Sequence, residues 1–470
     1  RDRDVTGVQT CALPICPAMV RVIIDRGMTD TEFISRHVKG FDEFTASLEM
    51  TPDKAQEITG IPADDIISLA VMTAGAKRLT IVAGYGLQRY TNGGQTIRSI
   101  ISIAVITGMI GKAGCGFNFA NLQSYIFDDV KEPLSYYPDP ESDKPFRRAI
   151  SMATFGPDFF ALKEPAIEVA WIERGNPVIQ LPGSGDVRKA LASVPFKVVI
   201  EQFMTDTAAM ADIILPAKGI FEQADVVGSY WNPYAQYKPK VVDPPGEVIP
   251  ESAIYWRLAQ LMGLDAGAAG VPAPADYDSW LKERISHTPG FVRDELMQKP
   301  VIPDQNEHPA YGNNKFETPS GKIELWSDRA AKLWGANPLP TYEPLNDFGE
   351  GHLPLRLMTP NIASRIHSQF GNLQVIRSVV EEPAWEMSVA DARSRGLRSG
   401  DMIRIFNSRG EVSGKVRVTA RVRSGSLVYP NGIWLGEGGG VNQLIAPSET
   451  DMGHGAAFHN TRVDIEKLAL

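Results

Sequence analysis

Cysteine is scarce, with 3 residues in 470. Cys11 and Cys16 lie near the start and Cys115 stands alone, so the chain encodes no C-x-x-C pair, zinc spacing or iron–sulfur ligand run. Long apolar runs are also missing. The most apolar stretch, residues 97–110, is interrupted by Arg98, Ser99, Ser102 and Thr107 and falls short of the ~18 apolar residues that a membrane helix needs. Positive charge is not in excess. Lys and Arg number 47 against 56 Asp and Glu, a net charge of −9, which excludes a basic nucleic-acid footprint. Two catalytic signatures are absent as well: G-x-S-x-G does not occur, and Gly84-Tyr85-Gly86 is followed by Arg89 where a nicotinamide fingerprint requires its third glycine.

What remains has an ordinary globular balance at a length that implies about two to four domains. Residues 1–16 have no signal-peptide layout. They resemble a translated sequencing-adapter string and are expected to lie outside the native fold, with the true gene continuing upstream. From residue 17 the pattern is α/β. Thr51-Pro52-Asp53 reads as a helix start, with Thr as the cap and Pro in the first turn. Residues 79–83 read as a buried parallel strand, and Ile97, Ile100, Ile101, Ala104, Val105 and Gly108 mark one helical face. Residues 123–165 are Pro-, Asp- and Tyr-rich and read as a crossing segment. The α/β pattern then returns, with strands at 169–172, 196–200 and 211–216 and a helix at 252–262. Residues 263–352 are Pro- and Gly-rich, with a strand at 322–326. Beyond 353, short strands alternate with the turns Ser408-Arg409-Gly410 and Arg423-Ser424-Gly425, a spacing that predicts a compact β-barrel. The expected boundaries are 1–16 (non-native), 17–122 (α/β), 123–164 (crossing), 165–265 (second α/β half), 266–351 (connecting) and 352–470 (barrel).

Several motifs carry two readings each. Gly84-Tyr85-Gly86 is either a plain strand-to-helix turn or a backbone cradle for a diphosphate, with Arg89 as its cation. Gly175-Asn176-Pro177 is either a turn by composition or places the Asn176 amide at the C-terminal edge of a parallel sheet, where nucleotides bind. Glu201 ends a strand, so its carboxylate can accept from a guanine edge or cap the next helix; Thr205 and Thr207 are equally good caps. Arg365-Ile366-His367-Ser368-Gln369 packs four polar side chains after an apolar strand, a ligand loop or a structural turn. The glycine run 436–440 is either a solvent loop or a close backbone approach to a ligand.

In order along the chain, GYGLQRYTNGGQ with TGMIGKAGCGF, then ERGNPV, VIEQFMTDTAAMADIILPA with FEQADVV, FETPSGKIEL, SRIHSQFGN, DARSRGLRSGDMIRIFNSRGEV and VNQLIAPSETDMG…HNTRVDIEK resemble the molybdopterin oxidoreductases of the dimethyl sulfoxide reductase family. The resemblance covers nearly everything after residue 17. It implies an α/β fold class: two related, incomplete Rossmann-like domains and a C-terminal double-psi β-barrel that closes over bis(molybdopterin guanine dinucleotide) with molybdenum or tungsten. On that resemblance, Tyr85 and Arg89 contact one dinucleotide. Asn176 and Glu201 contact the other, with Glu201 on guanine. Arg365, His367, Ser368, Gln369, Asn442 and Asn460 are the barrel's cofactor contacts, and Tyr85, Arg89, Asn176, Glu201 and the His367–Gln369 loop are expected to converge on one cleft between the α/β domains and the barrel. The resemblance further implies two-electron chemistry on a small substrate such as an S-oxide, N-oxide or sulfur oxyanion. The implied partners are that substrate, an electron-transfer iron–sulfur subunit and a membrane-anchor subunit. The family's N-terminal portion, which holds any iron–sulfur cluster and the metal ligand, has no counterpart here, and Cys115 does not match the ligand position. No metal ligand is therefore assigned, and the chain alone is expected to be inactive. Two other readings stay open: a non-redox lyase of the acetylene hydratase type, and a cofactor-free structural subunit of a respiratory complex.

Overall fold

The computed structural model describes residues 12–119, 148–229, 232, 234–268, 270–287, 293–302 and 309–469. Cys11 and most of the crossing segment lie outside them.

The first unit is a helical layer around a pair of short parallel strands, Thr80–Val82 and Gly116–Asn118. Its first helix, Ala12–Asp25, begins ahead of residue 17, because Leu13 and Cys16 continue the buried face that Ala18, Met19 and Ile23 extend. Helix Pro52–Thr59 starts as the sequence predicts, with the Thr51 hydroxyl accepting from the Lys54 N–H. The helix Gly93–Ile106 is buried on nearly every side rather than along one stripe. The reason lies far away in sequence. Strand Ile323–Glu324 pairs in parallel with Val38–Lys39, and the chain after it covers the helix. Arg98 donates to the carbonyls of Leu325, Asn337 and Pro338, and the Ser99 hydroxyl donates to that of Pro340. Part of the connecting region thus completes the first core, where Leu325 and Leu339 pack with Phe44, Ile66 and Ile106.

The second unit carries a parallel sheet of three strands, Val169–Glu173, Phe196–Glu201 and Ile213–Pro216, with the middle one in sequence also in the centre. Val198, Val199 and Ile200 are buried, as expected of a central parallel strand. Helices Pro177–Gln180 and Ser184–Ser193 supply Val178, Ile179, Val187 and Leu191 to a small core against Ile172. Val169, Ile213 and Ile214 stay exposed.

The third unit is a closed barrel of six strands, in spatial order Leu355–Met358, Ser426–Val428, Trp385–Ser388, Gly410–Thr419, Met402–Asn407 and Arg462–Lys467. Closure leaves no free sheet edge. Leu355, Leu357, Trp385, Met387, Ile403, Ile405, Val463 and Ile465 point inward at every second position. The Ser408–Arg409 turn joins an antiparallel pair in which Asn407 faces Gly410. Strand Trp385–Ser388 has no counterpart among the sequence-predicted strands. It is only four residues long, and Ser388 immediately caps the next helix through the Asp391 N–H, so its alternation ends before it becomes legible.

Among the described residues no helix is long and apolar enough to cross a membrane.

Candidate functional site

Two polar seams fasten the α/β units to the barrel. In the first, the chain leaves strand Thr80–Val82 through Gly84 into a 3-10 turn, Tyr85–Arg89, before the long helix begins. The turn aims Arg89 at the barrel. Its guanidinium donates to the Thr359 carbonyl at 2.9 Å and the Thr359 hydroxyl at 3.2 Å, and lies over the Phe458 ring. The Arg89 carbonyl accepts from the His459 N–H. Two residues on, the Asn460 amide accepts from the Thr91 N–H and donates to the Thr91 hydroxyl and the Asn346 carbonyl. Asp451 accepts from the N–H groups of Gly94 and Gln95 at 2.6 and 2.9 Å, closing the N-terminus of helix Gly93–Ile106 from the barrel side. Tyr85 does not join this seam. It is 42% exposed, and its ring leans on Phe119.

In the second seam, Asn176 stands at the N-cap position of the short helix Pro177–Gln180 without a side-chain cap bond of its own. The Thr207 hydroxyl donates to its Oδ1 at 2.7 Å and accepts from the Val178 N–H. Asn442 of the barrel donates to the carbonyls of Ile179 and Gln180, and the Gln180 amide donates to the Ser368 hydroxyl. Trp434 donates to the Ser368 carbonyl, and Asp206 accepts from the Leu435 N–H. Glu201 stands apart, partly exposed at its strand end. It accepts from the N–H of its neighbour Gln202, and the cap of the next turn is Thr205, which accepts from Ala208.

One loop, 359–371, runs from the first seam to the second and carries the polar cluster around His367. His367 and Phe370 both have left-handed φ, +51° and +70°, an arrangement that costs free energy and concentrates at functional loops. A Cβ on Gly432 would collide with the His367 carbonyl, so only glycine permits this approach. Buried Arg365 pairs with Glu437, which also holds Arg377. His367 and Gln369 are exposed, whereas Ser368, Asn442 and Asn460 are buried.

The electrostatics follow from burial. Desolvation pulls Arg89 down to about 10. Burial, and then the Arg89 charge, lowers both His367 and His459, the latter well below the ordinary histidine value. His459 accepts at Nε2 from the Thr359 N–H, which leaves the proton of the neutral ring on Nδ1. That Nδ1, together with Asn176 Nδ2, Asn442 Oδ1 and Arg365 Nε, is a buried atom with no hydrogen-bond partner among the described residues. Four such atoms on the seams and the loop between them, three donors and one acceptor, suit a large polar ligand with many heteroatoms. Among the described residues no three His, Cys, Asp or Glu side chains group as metal ligands.

The structure therefore brings Arg89, Asn460, Asn176, Ser368, Asn442, Arg365 and the His367 loop to the barrel face of the two α/β units. Tyr85 and Glu201 are not brought into this set: Tyr85 leans on Phe119, and Glu201 bonds its neighbour Gln202. Sequence reasoning missed His459, Thr359, Asp451, Gln180 and Trp434. His459 and Asp451 sit inside recognised segments, but only the fold sets them opposite Arg89 and a helix N-terminus.

Residues 15–261 match the family described as molybdopterin oxidoreductase, and residues 355–462 the "Molydopterin dinucleotide binding domain". The chain is 30% identical to the probable oxidoreductase YyaE of Bacillus subtilis strain 168, over 96% of this chain and 67% of that protein. It is 28% identical to the dimethyl sulfoxide reductase DmsA of Escherichia coli K12, over 95% of this chain and 63% of that protein. It thus spans about two thirds of the length of these relatives. The structure of acetylene hydratase from Pelobacter acetylenicus superposes with a TM-score of 0.78 at 19% identity, covering 98% of this chain and 70% of that one, a likeness of fold.

Proposed function

The chain belongs to the molybdopterin oxidoreductases, in their dimethyl sulfoxide reductase branch, and from that premise we propose that its two seams hold a bis(molybdopterin guanine dinucleotide) carrying molybdenum or tungsten. The observation that carries this reading is the set of unpaired buried atoms at the seams. Each unsatisfied buried polar group costs about 1–3 kcal/mol. A cofactor-free structural subunit would bear that cost to no purpose, whereas a pterin dinucleotide offers partners of both kinds.

When bound, the cofactor supplies the two-electron exchange at its metal. The substrate class is a small S-oxide, N-oxide or sulfur oxyanion, which takes up two electrons and two protons and releases its oxygen as water. The residues of this chain hold and orient. Asn176 Nδ2, Arg365 Nε and His459 Nδ1 donate to pterin or phosphate acceptors, and Asn442 Oδ1 accepts. Arg89, fixed by Thr359, presents positive charge to the anionic cofactor in a partly dehydrated seam, where the interaction is strengthened. Tyr85 flanks the same dinucleotide, and His367, Ser368, Gln369 and Asn460 shape the loop that covers it. The metal ligand and any iron–sulfur cluster we place in a part of the protein beyond these residues. The 470 residues alone are accordingly expected to be inactive, and the complete enzyme to work with an iron–sulfur subunit and a membrane anchor.

Glu201 is proposed to read guanine, whose N1–H and exocyclic amine form a donor pair that one carboxylate can accept. In the full-length protein, Glu201→Gln is expected to lower cofactor loading about five- to a hundredfold, the effect of losing one hydrogen bond to a charged group. The melting temperature should barely move, because Glu201 is partly exposed and its contact with Gln202 is local. Full loading with a lowered melting temperature would show that Glu201 serves the fold instead.

A further inference from the structure

Thr205 and Thr207 are two residues apart and equally suited by type to cap a turn, yet the structure separates their roles. The Thr205 hydroxyl accepts from the Ala208 N–H and serves its own turn. The Thr207 hydroxyl accepts from the Val178 N–H at 3.2 Å and donates to Asn176 Oδ1 at 2.7 Å. A hydroxyl has one proton and two acceptor sites, whereas an asparagine side chain has an oxygen that only accepts and a nitrogen that only donates. These rules fix the sense of the Asn176 amide. The Val178 N–H can only donate, so it takes one lone pair of Thr207. The Thr207 proton then needs an acceptor, which Oδ1 supplies. With the amide turned over, that proton would face a donor. Thr207 is 1% exposed, so water offers the proton no alternative, and the reversed amide carries the cost of an unpaired buried group. Asn176 Nδ2 is thereby turned away from Thr207, buried and without a hydrogen-bond partner among the described residues. Asn442 is committed in the opposite sense. Its nitrogen donates to the Ile179 and Gln180 carbonyls, and its oxygen is the atom left unpaired.

We propose that Thr207 is a positioning residue for the cofactor: by giving its single proton to Asn176 Oδ1, it presents Nδ2 as a donor to an acceptor atom of the pterin dinucleotide. This inference rests on the cofactor reading above, and Thr207 acts through Asn176 rather than on the cofactor itself.

The test measures pterin released per chain and the urea midpoint in the full-length protein. Thr207→Val keeps the shape and removes the proton, and its pterin content is expected to fall about fivefold or more, the equivalent of one buried hydrogen bond. Thr207→Ser, which keeps the hydroxyl, should restore most of that loss. In an Asn176→Ala background, Thr207→Val should lower pterin no further, because no amide is left to orient, while it still lowers the urea midpoint by stranding the Val178 N–H. Asn176→Asp has the same shape but only acceptors. It is expected to load as poorly as Asn176→Ala, and it decides the matter should Thr207→Val not fold. A wild type without pterin would overturn the cofactor reading and this inference together. With a loaded wild type, three results would overturn this inference alone: full loading of Thr207→Val, an equal loss with and without Asn176, or full loading of Asn176→Asp.

Discussion

Replacing His459 by glutamine is expected to flatten the acid side of the protein's stability profile. His459 is buried, neutral and set against Arg89 and Arg356, so its folded pKa lies well below the ordinary value of 6.5. Below pH 6.5 the unfolded chain takes up a proton that the folded chain refuses. Stability from this group is therefore complete above 6.5 and falls as the pH drops. Glutamine keeps an acceptor for the Thr359 N–H and does not titrate. As the pH falls below 6.5 the wild type should therefore lose stability that His459→Gln retains. His367 titrates in the same sense but is present in both proteins and cancels. Urea midpoints at several pH values check this, and parallel profiles would mean that the histidine is protonated in the fold.

Asp451→Ala is expected to be the most destabilising single change at the first seam. One carboxylate satisfies the Gly94 and Gln95 N–H groups of a 14-residue helix, and the Asp451 N–H donates to the Thr91 carbonyl. Burial raises the pKa of the carboxyl in spite of these donors, so it sits in a poorly hydrated place where lost bonds are not replaced by water. Truncation leaves two donors unpaired and removes the side-chain tie between the barrel and the helix, at a cost of about 2–4 kcal/mol. Asp451→Asn, which retains an acceptor oxygen, should recover part of the loss. A urea midpoint equal to wild type in the alanine variant would show that the seam is held elsewhere.

The architecture was largely legible because its signals are local. Val198, Val199 and Ile200 form an apolar run that fits only a covered strand, and the alternation of Ile403 and Ile405 needs one dry face. The capping of Pro52–Thr59 by Thr51 is written in three consecutive residues. What escaped depends on partners distant in sequence. The stripe expected on Gly93–Ile106 gave way to full burial because residues some 240 positions later cover its other side and satisfy Ser99. At the site, Asn176 was legible as a polar residue at a turn, and Asn442 only through the family resemblance. That each keeps one atom unpaired emerges only once Thr207 and the Ile179 carbonyl have taken the other. His459 drew no notice beside Asn460, since a lone histidine in a strand approach carries no pattern of its own.

The central claim, a pterin dinucleotide held between the barrel and the α/β units, is tested most directly by acid release of bound nucleotide from the full-length protein and from the double variant Asn176→Ala/Asn442→Ala. The wild type is expected to release guanine nucleotide and pterin in equal molar amounts together with its metal. The double variant should lose most of all three while its circular dichroism shows an intact fold. A wild type that releases neither nucleotide nor pterin, or a double variant as fully loaded as the wild type, would contradict the account.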